Sequence, residues 1–158
     1  MDFFGKTDPR QVPKHLFRHA LEIDYQSAIR GDPDKQNYTV CPRHWHMDAT
    51  FPCDACSCTF TWSAKEQQRW FEEWNFWIDS APRHCPDCRK ERRALLAAKQ
   101  DYDQLVGKAR EGGSLEEKQR VLQILGELEA GLGQLPDKML ETRRVFHIQV
   151  ERFSDVDE

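Results

Sequence analysis

Cys53-Asp54-Ala55-Cys56 and Cys85-Pro86-Asp87-Cys88 are two Cys-x-x-Cys pairs, with residues 57–84 between them, in a chain of 158 residues. A tight turn over two intervening residues brings both sulfurs of a pair to one side, with backbone amides pointing at them. Two such pairs supply the four thiolates that a tetrahedral zinc ion takes. The interval exceeds that of common zinc fingers, but sequence resembling a strand and a capped helix fills it. Four thiolates leave no position for a water, so Cys53, Cys56, Cys85 and Cys88 are expected to hold one structural zinc and not a catalytic one. A thioredoxin-like redox site would need one such pair beside a βαβ pattern, which is not found here. Iron–sulfur clusters also use four cysteines, but at other usual spacings.

Within the interval, Thr59-Phe60-Thr61-Trp62 alternates polar and aromatic residues as a half-buried strand does. Ser63-Ala64-Lys65-Glu66 fits a capping box, in which the hydroxyl and the carboxylate satisfy open amides at a helix start. Trp70, Trp74 and Trp77 then fall at i, i+4 and i+7, a stripe expected to face the core, and Asp79-Ser80-Ala81-Pro82 ends the run. Further ligand-type side chains lie nearby: Cys41, His44, His46, Cys58 and His84. A second metal site is one reading of them. The other makes Cys58 a strand residue, Cys41 a small buried hydrophobe and the histidines ordinary surface or core groups.

Outside the cysteine-bearing stretch the pattern is helical. Leu16, Ala20, Ile23 and Ala28 suggest a helix over 14–30, with His15 and His19 four apart on its surface and Gly31 as its stop. On the other side, Leu95, Ala98, Tyr102, Leu105 and Ala109 step by three or four, and Gly112-Gly113 breaks the run. Ser114-Leu115-Glu116-Glu117 is a second capping box, followed by Val121, Leu125, Leu128, Leu132 and Leu135. Two such stripes joined by a glycine turn predict an antiparallel helical hairpin over 89–110 and 114–135, with Leu105 and Leu125 on the inner faces. Gly126, Gly131 and Gly133 each weaken the second helix by about 1 kcal/mol relative to alanine. Residues 145–153 read equally as helix or strand, with helix favoured, and 154–158 form an acidic tail. The expected organisation is a helical lead-in at 1–37, a zinc-binding module at 38–93, and a helical hairpin with C-terminal segment at 94–158.

Charge and composition narrow the function. The net charge is −4, so the chain as a whole is no polyanion binder. A basic knot of Arg83, Arg89, Lys90, Arg92 and Arg93 sits between acidic flanks, and any anion-binding role would be local to it. The longest apolar run, Ala94–Ala98, is far short of the roughly 20 residues a membrane span needs. The N-terminus has no basic region followed by an apolar stretch, so a cytoplasmic location, where thiols stay reduced or bind metal, is expected.

The stretch Cys41-Pro42-Arg43-His44-Trp45-His46-Met47-Asp48-Ala49-Thr50-Phe51, the first cysteine pair, Phe60-Thr61-Trp62, Ser63 to Gln68, and Cys85-Pro86-Asp87-Cys88-Arg89 occur in that order. Together they resemble the bacterial "probable zinc-ribbon domain" family over roughly 38–93. That resemblance implies a small α+β treble-clef or zinc-ribbon module, here with mostly α-helical N- and C-terminal extensions. It also implies that Cys53, Cys56, Cys85 and Cys88 are the zinc ligands. It implies no reaction and no defined partner. Some treble clefs carry nuclease chemistry, with a histidine on the hairpin. Here Thr59–Trp62 has neither histidine nor paired carboxylates, and His84 is the only nearby general-base candidate.

The expected function is therefore a non-enzymatic zinc-binding protein whose helices present a surface to another protein or to a second copy. The alternative is a nucleic-acid-binding module using Arg89, Lys90, Arg92 and Arg93, with an exposed ring such as Trp45 stacking on bases.

Overall fold

The computed structural model describes residues 1–154. These form two compact units, Met1–Cys88 and the residues from Arg89 onward. The boundary expected at 37/38 separates nothing, because residues on both sides of it build one sheet.

That sheet has three antiparallel strands in the order β1 (Glu22–Arg30), β2 (Trp45–Pro52) and β3 (Thr59–Trp62). Met47, Ala49 and Phe51 alternate along β2 onto one buried face. The register sets Ala49 opposite Trp62 and Phe51 opposite Phe60. The Phe51 ring consequently lies 6.2 Å from Phe60 and 6.0 Å from Trp62. Leu16, Phe17, Phe71 and Ile78 close the same core.

The helix expected over 14–30 does not form. Lys14–Phe17 is a 3-10 turn that buries Leu16 and Phe17 side by side, and the chain then enters β1. Ile23 and Ile29 are good strand residues, and β2 offers them a pairing partner. Tertiary pairing of this kind overrides a weak helical stripe. The pairing is interrupted: Asp24 faces Asp48 and Ile29 faces His46, so five steps along β1 oppose two along β2. Ser27 fills the gap, its Oγ accepting from the Asp48 amide at 2.7 Å and donating to the Asp24 carbonyl at 2.6 Å. At the end of β1, a Cβ on Gly31 would lie 2.2 Å from the Arg43 carbonyl oxygen. Only glycine lets the two chain segments approach so closely.

Helix α1 (Ala64–Gln68) starts at the expected cap, with Ser63 Oγ accepting from the Glu66 amide at 3.1 Å, the hydroxyl half of the expected box. It then widens into a π-helical turn, Arg69–Glu73, in which the Trp74 amide reaches back to the Arg69 carbonyl at 2.9 Å. This extra residue in the turn changes which side chains face inward. Phe71 is fully buried and Trp70 half-buried, whereas Trp74 and Trp77 are 47% and 42% exposed. The expected core stripe of three tryptophans is therefore not present.

The second unit contains the two helices of the expected hairpin and a third in the C-terminal segment, where helix was favoured: α2 (Pro86–Arg110, which begins in the first unit), α3 (Leu115–Leu132) and α4 (Asp137–Ser154). Ala98, Tyr102 and Ala109 pack with Val121, Ile124, Leu125 and Leu128 and with Leu135, Met139 and Phe146. The ambiguous segment 145–153 is helical. The seven-residue step from Met139 to Phe146 carries α4 along this core. Both halves of the second capping box are present, Ser114 Oγ accepting from the Glu117 amide at 3.2 Å and Glu117 Oε2 from the Ser114 amide at 2.9 Å. Gly131, read above only as a weak point, makes room for Leu95: a Cβ there would lie 2.2 Å from Leu95 Cδ2.

Leu125 is fully buried and Leu105 only partly. Leu125→Asp should lower stability by roughly 4 kcal/mol, and Leu105→Asp by less than half of that. Urea unfolding followed by far-UV circular dichroism tests the ordering. Among the described residues, no helix is long and apolar enough to cross a membrane. The expected acidic tail lies, from residue 155 on, outside the described residues.

Candidate metal centre

The first cysteine pair follows the end of β2 and the second opens α2. After β2, the Cys53 amide donates to the Cys58 carbonyl at 2.8 Å, and the Ser57 amide donates to the Cys53 carbonyl at 3.0 Å. This closes a knuckle whose tightest residue, Ser57, sits at φ +62°. The Asp54 amide donates to the Arg83 carbonyl at 2.9 Å, which joins the knuckle to the chain entering the second pair. Pro86 begins α2, a favoured first helical residue because it has no amide to leave open.

The four sulfurs of Cys53, Cys56, Cys85 and Cys88 all lie within 4.8 Å of one another. A tetrahedral metal–thiolate centre with bonds of about 2.3 Å has sulfur–sulfur edges of about 3.8 Å. Cys56 and Cys85 stand 3.8 Å apart. Backbone amides point inward, the Cys85 amide to Cys53 Sγ at 3.2 Å and the Cys88 amide to Cys85 Sγ at 3.5 Å. The Cys56 amide chiefly, helped by those of Cys85 and Ala55, draws the Cys53 thiol down to about 5. The Cys88 amide similarly lowers Cys85. Cys88, hydrogen-bonded to the Cys85 sulfur, is pushed up. Sulfurs this close share protons among themselves unless a cation neutralises them. The donor set thus fits a thiophilic metal ion.

Residues 47–95 match the family model of the probable treble clef domain. The match begins after the Cys41–His46 stretch quoted above and contains all four clustered cysteines. No curated protein and no solved structure matches the chain. In the treble clef the knuckle, the β2–β3 hairpin and the start of α2 are the parts that carry the cysteines. Gln67 explains part of the family-like Glu-Gln-Gln run. It is fully buried, accepts from the Met47 amide at 3.3 Å and donates to the Met47 and Trp62 carbonyls, tying α1 to both strands.

The other candidate ligands are not brought together. Among the described residues, the four cysteines are the only group of three or more histidine, cysteine or acidic side chains placed to share a metal ion. Cys41 is buried in the core, as expected of a small hydrophobe. Cys58, expected to be a strand residue, lies just before β3, with its sulfur 3.1 Å from that of Cys56. Contact with the Cys56 sulfur, above all, pushes the Cys58 thiol up to about 12. His15 and His19 are exposed on the chain leading to β1, His19 at φ +70°.

His46 has a structural partner instead of a metal. Its ring nitrogen Nε2 lies 2.8 Å from Glu72 Oε1, and both side chains are nearly solvent-free. The Glu72 carboxylate also accepts from the Asp32 amide at 2.8 Å and from Gln68 Nε2 at 3.2 Å. No local pattern in the sequence marks this group, because only the fold brings Glu72 of the π-helical turn against His46 on β2.

Burial holds His46 below its usual range, outweighing the pull of Glu72. Burial pushes Glu72 up, but the Asp32 amide, His46 and Gln68 together bring it below the ordinary 4.5. Both groups destabilise the fold when acidified. An unfolded His46 takes its proton near 6.5 and a folded one only at lower pH, so its stabilising contribution is present above pH 6.5 and declines below it. That of Glu72 is present above pH 4.5 and is lost as pH falls through its folded value. His44, held low by burial first and then by Arg30, adds to the histidine effect with the same sign. The part of the urea midpoint that these three groups supply should therefore be fully present above pH 7 and decline between about 6.5 and 4. His46→Gln should reduce the slope in the upper part of that window while metal content stays unchanged.

Proposed function

We propose that the chain is a non-enzymatic interaction protein, in which a structural zinc ion on Cys53, Cys56, Cys85 and Cys88 fixes the treble clef and ordered apolar surfaces bind another protein. Four thiolates complete a tetrahedral shell, which supports zinc in a structural role. The observation that carries the interaction reading is large apolar side chains left in solvent. The Trp74 and Phe76 rings lie 5.8 Å apart on the zinc unit, where Trp77 is exposed too, and Leu96, Leu132 and Ile148 are exposed on the helices. Single exposed apolar residues are ordinary, but clustered ones mark contact surfaces.

Lys90, Arg92 and Arg93, all exposed on the early turns of α2, favour a second reading as a nucleic-acid contact. The test is retention from cell extract by the metal-loaded chain. Bound protein that persists after nuclease treatment and at high salt supports the interaction reading. Bound nucleic acid that dissociates steeply with salt overturns it in favour of the second.

A further inference from the structure

Trp74, Phe76 and Trp77 are held in solvent by the backbone and do not simply fray there. The Phe76 amide donates to the Trp70 carbonyl at 2.9 Å, and the Ile78 amide to the Asn37 carbonyl at 3.1 Å. Asn75 adopts φ +53°, and its Nδ2 donates to the Lys35 carbonyl at 2.9 Å. The rings support one another, Phe76 lying 5.3 Å from Trp70 and 5.8 Å from Trp74. A polar turn would be the expected surface solution here. Instead three large rings are fixed outward, each more than 40% exposed.

The charges around them identify the occupant. The Arg69 guanidinium lies 5.0 Å from the centre of the Trp74 ring, and its Nε is 3.7 Å from Glu73. One face of the ladder thus already accepts a guanidinium backed by a carboxylate. Trp77 Nε1 donates to Asp79 Oδ2 at 3.2 Å, which places a second carboxylate beside that ring. Across the segments that build the platform, 32–37 and 69–79, Asp32, Asp34, Glu72, Glu73 and Asp79 outnumber Lys35 and Arg69 among the exposed or half-buried charges. Such a field repels a phosphate backbone and attracts cations. Tryptophan is also the best of the aromatic faces for a cation.

We propose that Trp74, Phe76 and Trp77, flanked by Glu73 and Asp79, bind an arginine-bearing segment of a partner protein. Its guanidinium groups stack on the rings and pair with the two carboxylates. This names the partner chemistry of one surface and rests on the interaction reading above.

The experiment titrates the metal-loaded full chain with a capped Arg-Gly repeat peptide and follows the tryptophan indole signals by NMR. Controls are the matching Gln-Gly peptide and an oligothymidylate. Saturable shifts at Trp74 and Trp77 with the arginine peptide are expected. Binding should be about tenfold weaker in Trp74→Ala/Trp77→Ala, a change equal to the loss of one or two cation–π contacts. These residues are exposed, and near-UV circular dichroism verifies the fold. Arg69→Ala, which frees a ring face, should bind severalfold more tightly, and unchanged or weaker binding by that variant overturns the stacked geometry. Equal binding of the glutamine peptide, preference for the oligothymidylate, or self-association abolished by the double substitution also overturns the proposal. If the arginine peptide fails while protein is still retained from extract, this inference falls and the interaction reading stands.

Discussion

Stripping the metal, or replacing Cys85 with serine, is expected to unfold residues 1–88 and to leave the helical core beyond them standing. The ligands come from two places in the chain, the turn after β2 and the start of α2, and little else ties the knuckle down. Cys56 and Cys58 are exposed, and Ser57 sits in the left-handed region. For sites of this kind the binding free energy is folding free energy, about 10–16 kcal/mol in apparent terms, more than the whole stability of a small domain. All five tryptophans lie in this unit, at 45, 62, 70, 74 and 77. Fluorescence excited selectively at tryptophan, and the tryptophan bands of near-UV circular dichroism, therefore report on it alone, since Tyr102 lies in the helical core. Both signals should collapse on chelation while the far-UV helical band is largely kept. Native tryptophan signals in metal-free protein would show that the aromatic core folds without the metal.

The second large effect is expected at Arg43. Its guanidinium is entirely out of water. Nη2 donates to the Leu16 carbonyl and Nε to the Ile78 carbonyl at 3.2 Å. The rings of Phe17, Trp62 and Phe71 surround it, with centres 4.8, 5.6 and 4.6 Å away. Burial brings its pKa down to about 9, so it stays a cation at neutral pH. Among the described residues no carboxylate is hydrogen-bonded to it; carbonyl dipoles and aromatic faces surround the charge, and the negative charge of Asp79 favours it. Arg43→Ala would open a cavity and strand two buried carbonyls, a loss of roughly 4–5 kcal/mol. Arg43→Lys keeps the charge but cannot reach both carbonyls in one plane, and should lose about half as much. Urea denaturation of the metal-loaded variants measures both. An alanine variant within 1 kcal/mol of wild type would show that the ring cage is dispensable.

These two cases also divide what the sequence made legible from what it did not. The cysteine pairs, the strand Thr59–Trp62 and the caps at Ser63 and Ser114 are local patterns, and each is present where its spacing put it. Arg43 stands in the quoted family-like stretch, yet nothing local distinguishes a caged arginine from a surface one. Its environment is assembled from the N-terminal turn, β3, the π-helical turn and Ile78. Strand β1 was hidden for the same reason, since only β2 gives Glu22–Arg30 its hydrogen bonds. The stripe of Trp70, Trp74 and Trp77 misled because helical spacing was carried through a turn that is not α-helical.

That turn has a consequence at the level of the gene. A π-helical turn holds one residue more than the α-turn it replaces, and each residue advances an α-helix by about 100°. The outward setting of Trp74 therefore depends on a single codon within Arg69–Glu73. An in-frame deletion of Glu73 would turn Trp74 by about 100° relative to Phe71. Trp77 lies beyond the turn, set by Asn75 at φ +53° and by the bond of the Ile78 amide to the Asn37 carbonyl. Homologues one residue shorter between Phe71 and Trp74 should accordingly lack a large aromatic at the position of Trp74. Length variation in this short turn would then divide them into those with the outward ring and those without it.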